Sequence, residues 1–150
     1  VCPQEITMKL RIEIAGWGML LLGVVHVFFP KHFDWKTDLA QLSLINRQMA
    51  EVHMFFVAFF VALMGLLCIT SANLLLHTGL GRRVSLGISI FWGARLLVQH
   101  FWYSPRLWRG KPFETIVHVV FTMIWLTLVV LFAMAAFGNS GVSNVVIGPD

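Results

Sequence analysis

Residues 49–76, MAEVHMFFVAFFVALMGLLCITSANLLL, decide the fold. From Val52 to Leu76 the stretch carries no Asp, Glu, Lys or Arg. A helix needs about 20 mostly apolar residues to cross the hydrocarbon core of a bilayer, and this run exceeds that. It therefore reads as a transmembrane helix. Upstream of it nothing from Asp38 to Met49 breaks a helix, and Asp38 can serve as an N-cap. The segment 38–48, DLAQLSLINRQ, is predicted as an amphipathic helical extension at the membrane interface.

Three further spans follow from the same criterion. The first covers 10–29, LRIEIAGWGMLLLGVVHVFF, and stops at Pro30. Lys9 and Arg11 precede its apolar run as in a signal peptide, but no small-x-small cleavage site follows, so a retained span is expected. The third covers 84–103 and ends before Pro105. The fourth covers 113–137, with Pro112 in its first turn, where proline is accepted. Residues 139–150, NSGVSNVVIGPD, read as a flexible tail. The expectation is an all-α integral membrane protein, one domain over 1–150, with four transmembrane helices in an up-and-down bundle.

Composition agrees. Of 150 residues, 58% are hydrophobic and 12% charged, against roughly a quarter charged in soluble domains. The net charge of +4 lies almost wholly in the connections. No basic face accompanies an aromatic stacking platform, so nucleic acid is not an expected partner. Cys2 and Cys68 fit neither a disulfide framework nor a zinc pattern. The lipid bilayer is the expected environment. Loops 30–48 and 104–111 hold Lys31, Lys36, Arg47, Arg106, Arg109 and Lys111, against Lys9, Arg11, Arg82 and Arg83 on the opposite face. The positive-inside rule leans towards placing the first set in the cytoplasm. Ser85, Ser89 and Gly93 repeat at spacing four, and Gly16 and Gly23 form a similar stripe, as helix–helix contacts in membranes require.

Each span carries one histidine: His26, His53, His100 and His118. In an up-and-down arrangement all four fall near one membrane face, each roughly 9–16 Å from its span's midplane at 1.5 Å rise per residue. Their heptad neighbours are small or polar: Gly23, Met19 and Gly16 for His26, Asn46 for His53, Gly93 for His100, Glu114 and Thr122 for His118. Lipid cannot satisfy such residues, which places them towards protein. Imidazole ligates iron, copper and zinc, and a pair of imidazoles ligates haem iron. A transition-metal centre is thus expected, with haem b slightly ahead of non-haem iron, copper or zinc. Its candidate metal ligands are His26, His53, His100, His118 and Glu114. Gly23 and Gly93 would open a haem slot, with His26 and His100 as axial pair and Phe56, Phe60 and Trp125 as walls. The histidine-bearing four-helix plan is generally similar to small membrane b-type cytochromes in architecture, though not in its single layer of histidines.

Arg95 stands close to the middle of its span, where a charge is costly, and Gln99 follows one turn later. They are candidates for a haem propionate, a quinone oxygen or an anionic substrate, or for a structural tether to backbone carbonyls or to Glu13. Three function classes follow. One is a metal or haem protein, a membrane oxidoreductase passing electrons to a quinone or oxidising another lipid-soluble substrate. Another is a metal-free carrier or anion/proton-binding protein using Arg95 and the histidines. The last is an accessory subunit docked to other membrane subunits. The sequence carries no nucleophile elbow, phosphate loop, HExxH or CxxC.

Overall fold

The computed structural model describes residues 3–28, 37, 39–104, 106 and 108–138. Among them stand four helices: α1 (Pro3–His26), α2 (Leu44–His77), α3 (Gly79–Phe101) and α4 (Pro112–Phe137). The protein is all-helical, and α2, α3 and α4 are each long and apolar enough to cross a membrane. α1 is not, because charge reaches into it. Glu5, Lys9, Arg11 and Glu13 occupy its first half and leave Ile14–His26 uncharged, short of the roughly 20 residues a crossing takes. Val27 and Phe28, which would lengthen that stretch, lie in a turn, and Phe29 is outside the described residues.

Helix ends differ from expectation for local reasons. α2 starts at Leu44, preceded by a turn in which the Leu42 amide donates to Leu39 O. The helical extension therefore runs over Leu44–Gln48, continuous with the span. The Asp38 cap, His32, Trp35, Lys31, Lys36, Cys2, Pro105 and the tail 139–150 lie outside the described residues. α3 starts at Gly79 rather than Val84, because Thr78 caps it: its Oγ1 accepts from the Gly81 amide at 2.8 Å. That contact satisfies one of the four amides a helix start leaves over.

The chain divides into two compact units, Val1–Ala72 and Asn73–Asp150. α2 contributes to both. Its backbone leaves helical geometry at Ser71 (φ −129°, ψ 23°). Next to it Thr70 Oγ1 donates to Leu66 O at 2.8 Å, the kind of hydroxyl back-bonding that bends helices.

In the first unit α1 lies directly on α2. α1 buries Ile12, Gly16, Met19 and Gly23 on one stripe, and α2 buries Ala58, Val61, Met64, Gly65 and Cys68. The helices meet through glycine. A Cβ on Gly16 would stand 2.8 Å from Gly65 O, and one on Gly65 would stand 2.6 Å from Gly16 O. Only hydrogen on both sides permits this backbone-to-backbone approach. The outer side of α1 presents Ile14, Trp17, Leu21 and Val24, all more than half exposed.

The second unit holds the last turn of α2, α3 and α4. Gly81 permits the α2–α3 turn, since a Cβ there would run into the backbone of Leu74 and Leu75. α3 buries Ser85, Ile88, Ser89, Trp92 and Gln99, and α4 buries Trp125, Leu128, Leu131, Phe132, Ala135 and Ala136. Their contacts run antiparallel. Arg82 Nε donates to Ala136 O at 2.9 Å, at the carbonyl-rich end of α4. Ser89 Oγ donates to Val129 O at 2.9 Å, and Trp92 stacks on Trp125 with centroids 4.7 Å apart.

Candidate functional site

Beyond the Trp92–Trp125 stack the α3–α4 contact becomes polar. Gln99 is only 5% exposed, and every polar atom of its amide is engaged. The Trp125 indole, which can only donate, gives its Nε1–H to Gln99 Oε1 at 2.7 Å. That fixes which end of the amide is nitrogen. Gln99 Nε2 then donates to His118 O and to Thr122 Oγ1, both at 3.0 Å. Thr122 Oγ1 passes its own hydrogen to His118 O at 2.8 Å. One buried amide thus holds α3 to three residues of α4.

Two histidines sit beside this clamp. The rings of His100 and His118 have centroids 5.4 Å apart, tilted by 57°. His100 Nδ1 lies 3.0 Å from Leu96 O. A carbonyl only accepts, so Nδ1 carries a proton and Nε2 is the nitrogen turned away from the backbone bond. His118 Nδ1 faces the Gln99 amide nitrogen at a long 3.5 Å. Its other face is covered by Trp108, stacked at 4.5 Å with planes 10° apart. A tight turn presents that tryptophan. The Lys111 amide donates to Trp108 O at 3.2 Å, and Gly110 takes the left-handed conformation (φ 83°) the turn requires. Thr115 Oγ1, 2.7 Å from Trp108 O, ties the turn to the first turn of α4.

Arg95 completes the cluster. It is half-buried, with Cζ 5.5 Å from the Trp125 ring centroid and 5.8 Å from that of Tyr103. Its Nη1 is buried without an acceptor, and no carboxylate among the described residues pairs with it. Glu13, one of the alternative tethers for it, belongs to the first unit, where Lys9 Nζ lies 3.7 Å from its carboxylate. The Nε1 of Trp92 is also buried without an acceptor.

Of the residues singled out by sequence, Arg95, Gln99, His100 and His118 come together on α3–α4. His26 and His53 belong to the first unit. His26 is half-buried with Nδ1 2.7 Å from Leu22 O, and His53 is exposed with Nδ1 2.8 Å from Met49 O. Glu114 is exposed one turn before His118. Among the described residues no three His, Cys, Asp or Glu side chains are placed to hold one metal ion. The space over Gly23 is filled: a Cβ there would stand 3.0 Å from both Ala58 O and Ala62 Cβ. Phe56 and Phe60, expected as haem walls, are 60% and 49% exposed, and Trp125 is spent on Gln99. Sequence reading gives Trp92 and Trp108 no place in the site. The signal for Trp92 is its spacing from Arg95 and Gln99, at i, i+3 and i+7 on one helix face. The sequence matches no protein-family model, and neither a curated protein nor a solved structure is detectably similar to it.

Proposed function

We propose that the chain is a four-span membrane protein that binds a small anion on α3–α4, with Arg95 as counter-charge and His100 and His118 as neighbouring proton-holding groups. The observation that carries this is the buried, acceptor-less Nη1 of an arginine that no described carboxylate pairs. A cation inside the apolar layer costs several kcal/mol unless compensated. The aromatic faces of Tyr103 and Trp125 offset about 1–2 kcal/mol of that, and an anion supplies the remainder. The Gln99 clamp keeps both helices in register around the site.

The fourth crossing is assigned to α1. It is supported by the close backbone approach of α1 to α2 and by the apolar outer side of α1, which suits lipid. On charge counts, loops 30–48 and 104–111 are placed in the cytoplasm. The test of binding is equilibrium titration of purified protein with chloride, inorganic phosphate and butyrate, in metal-free buffer. At least one should bind saturably to the wild type. Arg95→Leu should lose that binding at least tenfold, and unchanged binding in that variant would sink the reading.

A second reading, a transition-metal or redox centre, rests on the His100–His118 pair. His100 offers an Nε2 lone pair with its Nδ1–H held by a carbonyl, the arrangement typical of metal-ligating histidine. Two imidazoles leave positions open for water or a lipid-soluble substrate such as a quinone. An optical spectrum with elemental analysis tests it. Bound iron, copper or zinc that falls in His100→Gln supports the centre, whereas colourless, metal-free protein from metal-replete cells rejects it. Docking to other membrane subunits, the accessory reading, would appear as co-purification of a partner.

A further inference from the structure

The anion reading leaves two buried polar groups unused, Ser85 Oγ and the indole N–H of Trp92, and the second lies closer along α3 to Arg95. Trp92 is 2% exposed, and its Nε1 has no acceptor. Buried donors are rarely left so, and each instance calls for a physical cause. Arg95 Nη1 is another such donor, one helical turn further along the same face of α3. Both side chains lie against one ring. Trp92 stacks on Trp125 at 4.7 Å with planes 12° apart, and the Arg95 guanidinium carbon is 5.5 Å from the same ring. Trp125 cannot answer either donor, since its only polar atom already donates to Gln99. Among the described residues the other polar groups of the cluster, Gln99, Thr122 and His118 O, are bonded among themselves and answer neither donor.

We infer that Trp92 Nε1 and Arg95 Nη1 form a two-donor seat for the carboxylate of a lipid-soluble monoanionic acid. The inference rests on Arg95 being the anion-binding group and adds the partner donor and the ligand class. Charge selects an anion over a neutral carbonyl: one cation without a described carboxylate is matched by one negative charge, and a quinone oxygen would leave it standing. Two donors on adjacent turns suit an acceptor with two oxygens. The walls select the remainder of the molecule. Phe91, Trp92, Phe121 and Trp125 form one run of ring contacts, with Phe91–Trp92 centroids at 5.2 Å and Phe121–Trp125 at 5.3 Å. A hydrated inorganic ion would surrender its water to reach the donors past such rings. An acid with an alkyl or aryl body leaves its apolar part among rings and acyl chains and surrenders hydration at one end only. Tyr103, 45% exposed, lies against the guanidinium and adds a further aromatic wall.

The experiment uses the full chain in nanodiscs of zwitterionic lipid and radiolabelled decanoate, with decanol, decyl phosphate and chloride as competitors. Decanoate should bind saturably and decanol should not compete. Trp92→Phe, which keeps the ring stacked on Trp125, should weaken binding about tenfold, the scale of one hydrogen bond to a charged group. Arg95→Gln should abolish it. In the wild type, the indole N–H resonance of Trp92 should move on titration, a readout that does not depend on any variant folding. If decanoate binds, Arg95→Gln loses it, yet the Trp92 resonance and the Trp92→Phe affinity stay put, the two-donor seat is wrong and the Arg95 anion site stands. If decyl phosphate or chloride binds and decanoate does not, the carboxylate class is wrong. Absence of saturable binding by every anion brings down both the seat and the anion reading.

Discussion

Gln99 shows how one side chain can set a helix pair. Its amide answers the Trp125 indole and donates to two oxygens of α4, in surroundings where lipid offers no replacement partner. Gln99→Leu keeps the volume and strands the indole hydrogen, so it should lower stability by about 1–2 kcal/mol. Reversible unfolding in mixed micelles reads that loss. Adding Trp125→Phe should cost less than in the wild type, since the partner is already gone, and additive effects would argue against the bond. The site is half legible in the sequence. Arg95 and Gln99 are conspicuous because polar atoms inside an apolar run must be answered by something. Trp92 is hidden, since an indole meant for the core and one meant for the headgroup layer are the same letter. Convergence of four histidines depends on the tertiary arrangement of separate helices, which spacing along each helix does not contain.

Among the helices, glycine marks where backbones touch. Gly16 and Gly18 are neighbours on α1 with opposite surroundings: a Cβ on Gly16 meets Gly65 O at 2.8 Å, and one on Gly18 meets nothing within 4 Å. Gly16→Ala should therefore destabilise the α1–α2 pair by about 1–3 kcal/mol, the scale of overpacking. Gly18→Ala should be neutral or gain up to about 1 kcal/mol from helix propensity. Chemical denaturation of the two variants side by side checks both, and equal effects would mean α1 does not sit on α2 as described. The stripe of Gly16 and Gly23 is legible as a packing face from its spacing alone. Helix ends are less so. α3 reaches back to Gly79 because the Thr78 hydroxyl caps it, and Arg82 and Arg83, which resemble loop charges in the sequence, are in its first turns. Arg82 there serves the last carbonyls of α4.

For the molecule entire, apolar length is the most readable quantity. α2, α3 and α4 emerge as helices fit to span because no charge but Arg95 interrupts the core of any of them. α1 sits at the margin because charges occupy its first half. Thiol labelling decides its crossing. In a cysteine-free background, Thr78→Cys and Ser104→Cys should react from opposite sides of sealed vesicles. Glu5→Cys should react from the Thr78 side if α1 crosses, and from the Ser104 side if it does not. The joint between α2 and α3 carries one more consequence. Thr78 alone separates them, and Gly81 passes where no side chain fits. A single residue inserted at that joint would rotate everything downstream by about 100° at 3.6 residues per turn, swinging Gly81 off Leu74 and a side chain on. Length variation and epitope tags should thus be refused at this corner.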